Sequence, residues 1–439
     1  RYTSYPPITF WAEKPLEKDL RAHLQKEIKK QSEFSLYFHL PFCENLCHFC
    51  ACTKIIDPQR KQSAHYLETL IHELDLFIAK GPEPIRVAEV HWGGGTPTFY
   101  SSKELEKLFR AIEERVVWAP HRQMSIEVNP VRTTHEQLAS LRALGFDRVS
   151  FGVQDFEEEI QDLINRHQSY RQTEELAKSV RLLGYTSLNL DLIYGLPRQS
   201  LETIRATIQS VIELRPERIA FYSYANVPWK HPFQRRFQEK DLPKGMEKIE
   251  LYILGRELLL KAGYRPVGMD HFALPQDELF KAREEGRLHR NFMGYTTRSD
   301  SPLLGFGVSA ISMLDDLYWQ NEKKLSQYYA ALEKVELPIQ RGLHLSKDDR
   351  IRRYVVMQIM CNFLLDFQEL EKLFDIRFLS YFPAELDQLK QVEKKGLLKI
   401  NPQSLKLSSK GELLVRNIAS IFDPYIENKD LSHVFSMTI

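Results

Sequence analysis

The sequence predicts an α/β fold: a partial (βα)6 barrel with an extended sheet, followed by a mainly helical, winged-helix-like C-terminal domain. Three observations predict it. Between residues 34 and 225, six short apolar runs alternate with stretches of helical periodicity, which is how a parallel sheet covered by helices reads. Four of the five cysteines fall between Cys43 and Cys52, directly after the first of those runs. Beyond Ser346 the pattern is helical again and ends in a short hairpin.

The chain has 439 residues, 43% of them apolar, with 60 basic and 59 acidic side chains. That length exceeds one ordinary domain. The expected divisions are an N-terminal arm and helix (1–33), a partial barrel (34–225), a sheet extension covering the barrel mouth (226–340) and a helical C-terminal domain (341–439). The balanced charge argues against a general nucleic-acid or membrane field. No apolar run approaches the roughly 20 residues of a membrane span. Arg1 to Pro6 is not followed by a charged-then-apolar segment, so no signal peptide is expected, although residues ahead of Arg1 are. Few, clustered cysteines suit a reducing cytoplasm. The expectation is a cytoplasmic monomer with no nucleic-acid or membrane partner.

Taken in order, Tyr2, Tyr5, Phe10 and Trp11 make an arm too aromatic to be a disordered tail. Lys18–Lys30 reads as a charged helix. The apolar runs are Phe34–His39, Val87–Trp92, Met124–Val128, Arg148–Val153, Leu188–Tyr194 and Arg218–Tyr224. The helical stretches are Tyr66–Ile78, Ser102–Ile112, Glu136–Leu144, Thr173–Leu183 and Leu201–Leu214. Ligands of such folds gather at the C-terminal ends of the strands. Ser346-x-x-Asp349 and Ser409-x-x-Glu412 read as helix starts. The helices Asp349–Cys361, Phe367–Phe374 and Ala384–Lys395 lead to a hairpin at Leu398–Leu407 and a last helix to about Phe422.

The cysteine loop needs a chemical reason. Its thiols lie too close together to staple distant parts of a large chain. A structural zinc usually takes a second ligand pair, and none follows at finger or ribbon spacing, although zinc stays open. Cys43-x3-Cys47-x2-Cys50 best suits an iron–sulfur cluster held by three thiolates. Other strand ends point to the same mouth. The second runs into His91-Trp92-Gly93-Gly94-Gly95-Thr96-Pro97-Thr98, where three glycines leave backbone N–H groups uncovered and admit a ligand. A plain flexible turn is the alternative. Glu127 ends the third strand, where it could take an ammonium or a ribose hydroxyl. Gln154 ends the fourth, and Arg166 follows. Asp191, in an otherwise apolar fifth strand, is costly unless paired.

The three-cysteine spacing after His39-Leu40-Pro41-Phe42 resembles the signature of the radical S-adenosylmethionine (SAM) superfamily. Further motifs narrow the resemblance to the bacterial oxygen-independent coproporphyrinogen III oxidases and extend it over nearly the whole chain. They are Arg1-Tyr2-Thr3-Ser4-Tyr5-Pro6, Cys52 after the cysteine triplet, the glycine run, Gly152–Phe156, Asp191–Pro197, Gly268–Ala273, His289–Phe292, Gly294–Thr297 and Gly307–Ser312. The resemblance implies a radical-SAM barrel, a [4Fe-4S] cluster on Cys43, Cys47 and Cys50, and up to two molecules of SAM. Tyr37, Phe49, Gly94, Glu127 and Ile311 match positions around the SAM on the cluster. Gly95, Thr96, Gln154, Arg166, Asp191 and Ala225 match positions around a second. His39 and Tyr37 match catalytic positions.

The implied reaction removes a β-hydrogen from each of two propionates of coproporphyrinogen III, with loss of CO2 and an electron, and gives protoporphyrinogen IX for heme. It needs an electron donor such as flavodoxin or ferredoxin and an electron acceptor. The carboxylate-rich substrate calls for Arg and Lys at the mouth. The candidates are Lys230, Arg235, Arg236, Arg290 and Arg298. Met293 stands where some members of the family have Gln. Two other readings remain: a heme-trafficking chaperone of the same superfamily, against which Cys52 and the arm argue, and a DNA-binding role for the C-terminal module, whose mixed charge speaks against it.

Overall fold

A computed structural model of the chain describes residues 2–299 and 301–426. Arg1 of the Arg-Tyr-Thr-Ser-Tyr-Pro arm and residues 427–439 of the expected C-terminal domain lie outside the described residues. The chain divides into two compact units: a larger one of residues 13–263 and 301–343, and a smaller one that unites the arm, residues 264–299 and the C-terminal helices.

The larger unit is built on six successive parallel strands: β1 (Glu33–Leu40), β2 (Arg86–Gly94), β3 (Val117–Val128), β4 (Arg148–Gln154), β5 (Ser187–Tyr194) and β6 (Arg218–Ser223). Between them run α1 (Ser63–Ile78), α2 (Ser102–Glu113), α3 (His135–Ala143), α4 (Glu158–Ile164), α5 (Tyr170–Leu182) and α6 (Leu201–Leu214). Only α4 has no counterpart among the expected helices; seven residues are too few for a clear period. Local chemistry starts the helices on cue. Ser101 with Glu104, Thr134 with Gln137, Ser169 with Gln172 and Ser200 with Thr203 each form a reciprocal capping box. Each cap is worth about 1 kcal/mol.

The sheet is not closed on itself. The outer edge of β1 is taken by β7 (Leu303–Phe306), which runs parallel to it. From there β8 (Ile311–Leu314) and β9 (Leu317–Asn321) continue antiparallel, and β10 (Ile339–His344) ends the row. The strand order is therefore β10-β9-β8-β7-β1-β2-β3-β4-β5-β6, a partial barrel with an extended mixed sheet. Strand interiors carry the core: Phe34, Leu36, Phe38, Trp92, Ile126, Phe151 and Leu190 are wholly buried. Each such side chain stabilises the fold by about 1.5–3 kcal/mol.

In the smaller unit the helix Lys347–Asn362 starts at the expected Ser346–Asp349 box. Its Ile351, Val355, Val356 and Ile359 are fully buried among Phe367, Leu370, Phe378 and Leu389. The expected hairpin is present as Leu398–Ile400 and Ser404–Leu407, joined by a third strand, Leu364–Asp366. The last helix differs from expectation. Ser408 rather than Ser409 is its cap, and Leu414 leaves helical geometry, so two short helices replace one long one. The aromatic arm packs as its composition requires: Tyr2, Tyr5 and Trp11 are buried, and Phe10 stacks on Tyr425 at 5.9 Å.

Candidate active site

The candidate cluster, SAM and catalytic residues all lie in the larger unit. The cysteine loop leaves the end of β1 and is pinched shut behind Cys43. Phe42 and Cys43 pair with Ile55 and Ile56, and the Ile55 N–H donates to the Pro41 carbonyl at 2.8 Å. Its far side is tied down by the end of α4. The His48 N–H donates to Ile164 O at 2.9 Å, and Asn165 Nδ2 donates to Leu46 O at 2.8 Å. All four loop thiols are free, with Cys43, Cys47 and Cys50 half-buried and Cys52 exposed. Burial pushes the Cys43 thiol up to about 11 and raises Cys47 as well. The Cys52 thiol beside Cys50 pulls Cys50 down. Arg166 Nη1 lies 3.9 Å from Cys47 Sγ, and Thr96 Oγ1 lies 3.5 Å from Cys43 Sγ.

Tyr37 and His39 share one face of β1 because they are two residues apart. The Thr53 carbonyl can only accept, so His39 Nε2 carries the proton in the 2.8 Å bond between them. Nδ1 is then the acceptor for the Tyr37 hydroxyl at 2.9 Å. Burial lowers the His39 pKa, which keeps that neutral tautomer. Behind the strand, the Tyr66 hydroxyl donates to the His39 carbonyl at 2.8 Å.

The glycine run works differently from its sequence reading. The N–H groups are not left uncovered. Gly94 donates to Glu127 Oε2 at 3.0 Å, Gly95 to Leu40 O at 2.9 Å and Thr96 to Phe42 O at 3.0 Å. Neighbours occupy the space that side chains would need: a Cβ on Gly93 would stand 2.9 Å from Glu127 and one on Gly94 2.7 Å from the His39 ring. The run lets β1, β2 and Glu127 close on one another, and no amide nest for an anion remains there. What the edge offers a ligand is the Glu127 carboxylate. Desolvation works against its charge, but His91, 3.3 Å away, and the Gly94 N–H outweigh that and hold its pKa below normal.

The remaining candidates ring the same edge. A Cβ on Gly152 would lie 2.9 Å from Gln154 Nε2 and 3.1 Å from Arg166 Nη2, so these two polar ends sit side by side over bare backbone. Asp191, the carboxylate in an apolar strand, is paired: it accepts from Asn189 Nδ2 at 2.8 Å and from Ser150 Oγ at 3.2 Å. The Ala225 carbonyl accepts from Gln234 Nε2 at 3.2 Å. Phe49 packs on Ile160, Ile164, Leu196 and Tyr224. Ile311 opens β8, and its carbonyl lies 2.4 Å from where a Gly305 Cβ would be.

Sequence reasoning gave no role to His91, which stacks on Tyr37 at 5.8 Å and contacts Glu127. Its place two residues before the glycine run was the available signal. Glu73 of α1 was missed too; a lone Glu in a helix reads as solvated. Among the basic candidates, Arg236 bonds the His48 ring and Arg235 the Pro228 carbonyl. Arg290 and Arg298 belong to the smaller unit, where Arg290 donates to Thr3 O.

Comparison with known proteins bears on the family and the fold. The radical SAM superfamily model matches residues 37–211, and the HemN C-terminal domain model matches residues 345–414. The oxygen-independent coproporphyrinogen III oxidase of Synechocystis sp. is 41% identical over 443 residues, which span 100% of this chain and 95% of the relative. The Escherichia coli protein of the same name is 41% identical over 444 residues, with the same coverage of both. The solved structure of E. coli coproporphyrinogen III oxidase (HemN), described as a radical SAM enzyme, superposes with a TM-score of 0.93 at 40% identity and 97% coverage of each chain. With relatives this similar along its whole length, the chain belongs to the oxygen-independent coproporphyrinogen III oxidase family of the radical SAM superfamily.

Proposed function

We propose that this chain carries out the radical SAM oxidative decarboxylation of two propionate side chains of coproporphyrinogen III to vinyl groups, giving protoporphyrinogen IX. The observation that carries the reading is the convergence at one sheet edge, in a chain of this family, of three free thiols, a neutral buried His39 and the Glu127 carboxylate. The donor set fits a [4Fe-4S] cluster: Cys43, Cys47 and Cys50 would hold it, and the thiols that burial keeps protonated at Cys43 and Cys47 would lose their protons on binding iron. With SAM alongside, the cluster supplies one electron and, through it, hydrogen-atom abstraction that no side chain can perform.

This chain's own residues bind, orient and exclude water. Glu127 is an acceptor suited to the SAM ammonium, and Phe49, Ile311 and the stem of Tyr37 are apolar cover for the rest of that molecule. Arg166 faces Cys47 with positive charge, which offsets the negative charge of thiolate-bound iron. Gln154, Arg166 and Asp191, with Gly95, Thr96 and Ala225, would line a second SAM position. His39 holds its proton at Nε2 against Thr53 and leaves Nδ1 to the Tyr37 hydroxyl, so both rings are fixed where the substrate's side chain must arrive. The electron donor is a small redox protein such as flavodoxin or ferredoxin, the spare electron passes to an acceptor, and the setting is a monomer in the cytoplasm.

The test is anaerobic. Reconstituted protein with SAM, reductant, an electron acceptor and coproporphyrinogen III should yield 5′-deoxyadenosine together with divinyl product. Deoxyadenosine without any vinyl porphyrinogen would overturn the substrate and favour the chaperone reading. Alanine at Cys43, Cys47 or Cys50 should abolish the cluster's visible absorbance, and an intact spectrum would overturn the ligand set.

A further inference from the structure

The strand ends that follow the barrel proper carry the cations Lys323 and Arg341. β9 runs antiparallel to β8, which runs antiparallel to β7, which is parallel to β1. The residues just past β9 therefore emerge at the same edge as the cysteine loop. Lys323 stands there. Arg341, on the neighbouring β10, donates through Nε and Nη2 to Gln320 Oε1 at 3.1 and 2.8 Å. Gln320 in turn donates to Ser309 O at 3.1 Å, so the guanidinium is aimed by a fixed frame and not left to solvent. Lys54, on the far limb of the cysteine loop, donates to Cys50 O at 3.0 Å and lies 4.5 Å over the Phe233 ring.

Among the described residues neither Lys54, Lys323 nor Arg341 has an ion pair, unlike Arg86 with Glu33, Arg115 with Asp75 and Arg132 with Glu44 on the same unit. Lys323 is open to solvent, yet desolvation, then Arg341, then Lys230 lower its pKa. Lys54 and Lys230 together press on His231 after burial does. Lys323 and Arg341 thus stand on strands joined by the Glu322 N–H to Pro338 O bond of 2.7 Å, at one edge of a chain whose net charge is only +1. Holding like charges together costs stability unless an anion joins them.

We infer that Lys323 and Arg341 form a carboxylate-binding wall at the barrel mouth that takes propionate groups of the tetrapyrrole substrate. This deepens the function proposed above and rests on it. A guanidinium with its Nε side already fixed presents its remaining N–H donors to one carboxylate in a set direction, and an adjacent ammonium adds a point charge for the same or the next one. The remaining propionates are then those left to turn toward His39.

The experiment uses the full chain and coproporphyrin III, the air-stable tetracarboxylate, as a fluorescence probe, with its uncharged tetramethyl ester as the comparison. The wild type should bind the acid more tightly than the ester and lose affinity as salt rises. Lys323→Glu and Arg341→Gln should each weaken binding tenfold or more and raise KM for coproporphyrinogen III by a similar factor, with kcat at saturation within about twofold. Lys323→Arg should retain affinity. Wild-type affinity and KM in both weakened variants would overturn the wall. A lower melting temperature with equal loss of acid and ester binding would also overturn it, by showing a structural role. A wild type that binds neither probe and makes no vinyl product would overturn the underlying reading instead.

Discussion

A Cβ at Gly95 would stand 2.4 Å from the Pro41 carbonyl oxygen and 2.5 Å from its carbon. Both are backbone atoms at the root of the cysteine loop, so no side-chain rotation relieves the clash. Gly95→Ala is expected to push that root aside at about 1–3 kcal/mol and to lower both melting temperature and iron retained per chain after reconstitution. A variant with full iron and an unchanged melting curve would show that the loop does not depend on this approach. The residue type was legible in the sequence; its reason was not. Three glycines after a strand read as room for a ligand, whereas here they are room for His39, Glu127 and Pro41. Local sequence reports where Cβ atoms are missing but not what fills the gap.

At the scale of elements, α1 is the post behind the site. Glu73 is 3% exposed and accepts from the Gly307 N–H at 2.7 Å, Tyr328 Oη at 2.7 Å and Asn321 Nδ2 at 2.6 Å. One helix side chain thus holds the β7–β8 turn and the end of β9. Two turns earlier on the same helix, Tyr66 accepts from the Val308 N–H at 3.0 Å while donating to His39 O. Glu73→Ala would leave three donors without their acceptor and should cost about 3 kcal/mol or more, read by denaturant unfolding. Burial raises the Glu73 pKa to about 7 from 4.5. Between those pH values the folded state keeps a proton that the unfolded chain has released, so this group's contribution falls as pH rises through the window, by about 3 kcal/mol in all. Glu73→Gln should flatten that part of the stability–pH curve, and an unaltered slope would refute the assignment. In the smaller unit, Asp349 both caps its helix and accepts from Tyr5 Oη at 2.9 Å and Tyr425 Oη at 3.0 Å. Tyr5→Phe should cost about 1.5–3 kcal/mol and make the arm more readily cut by a protease; equal protection would mean that the ring alone holds it.

At the scale of the whole molecule, the smaller unit is not one stretch of chain. Tyr2, Tyr5 and Met269 share a core with Ile351, Val355 and Phe422. A chain ending at residue 343 should therefore expose the arm and the 264–299 segment, bind a hydrophobic dye and melt lower than the full chain; a truncated protein with no added dye binding would argue against a shared core. The sequence by itself determined the alternation of strands and helices, the helix caps and the thiol-bearing loop after β1, because periodicity, capping and ligand spacing are short-range and written in adjacent residues. Only the tertiary structure decided that β7 to β10 cover the free edge of β1, that arm and C-terminal helices form one core, that Glu73 anchors the turn before Ile311, and that Arg341 is aimed by Gln320 beside the end of β9. Those features depend on pairings between segments tens to hundreds of residues apart, whose partners leave no periodic mark on the chain between them.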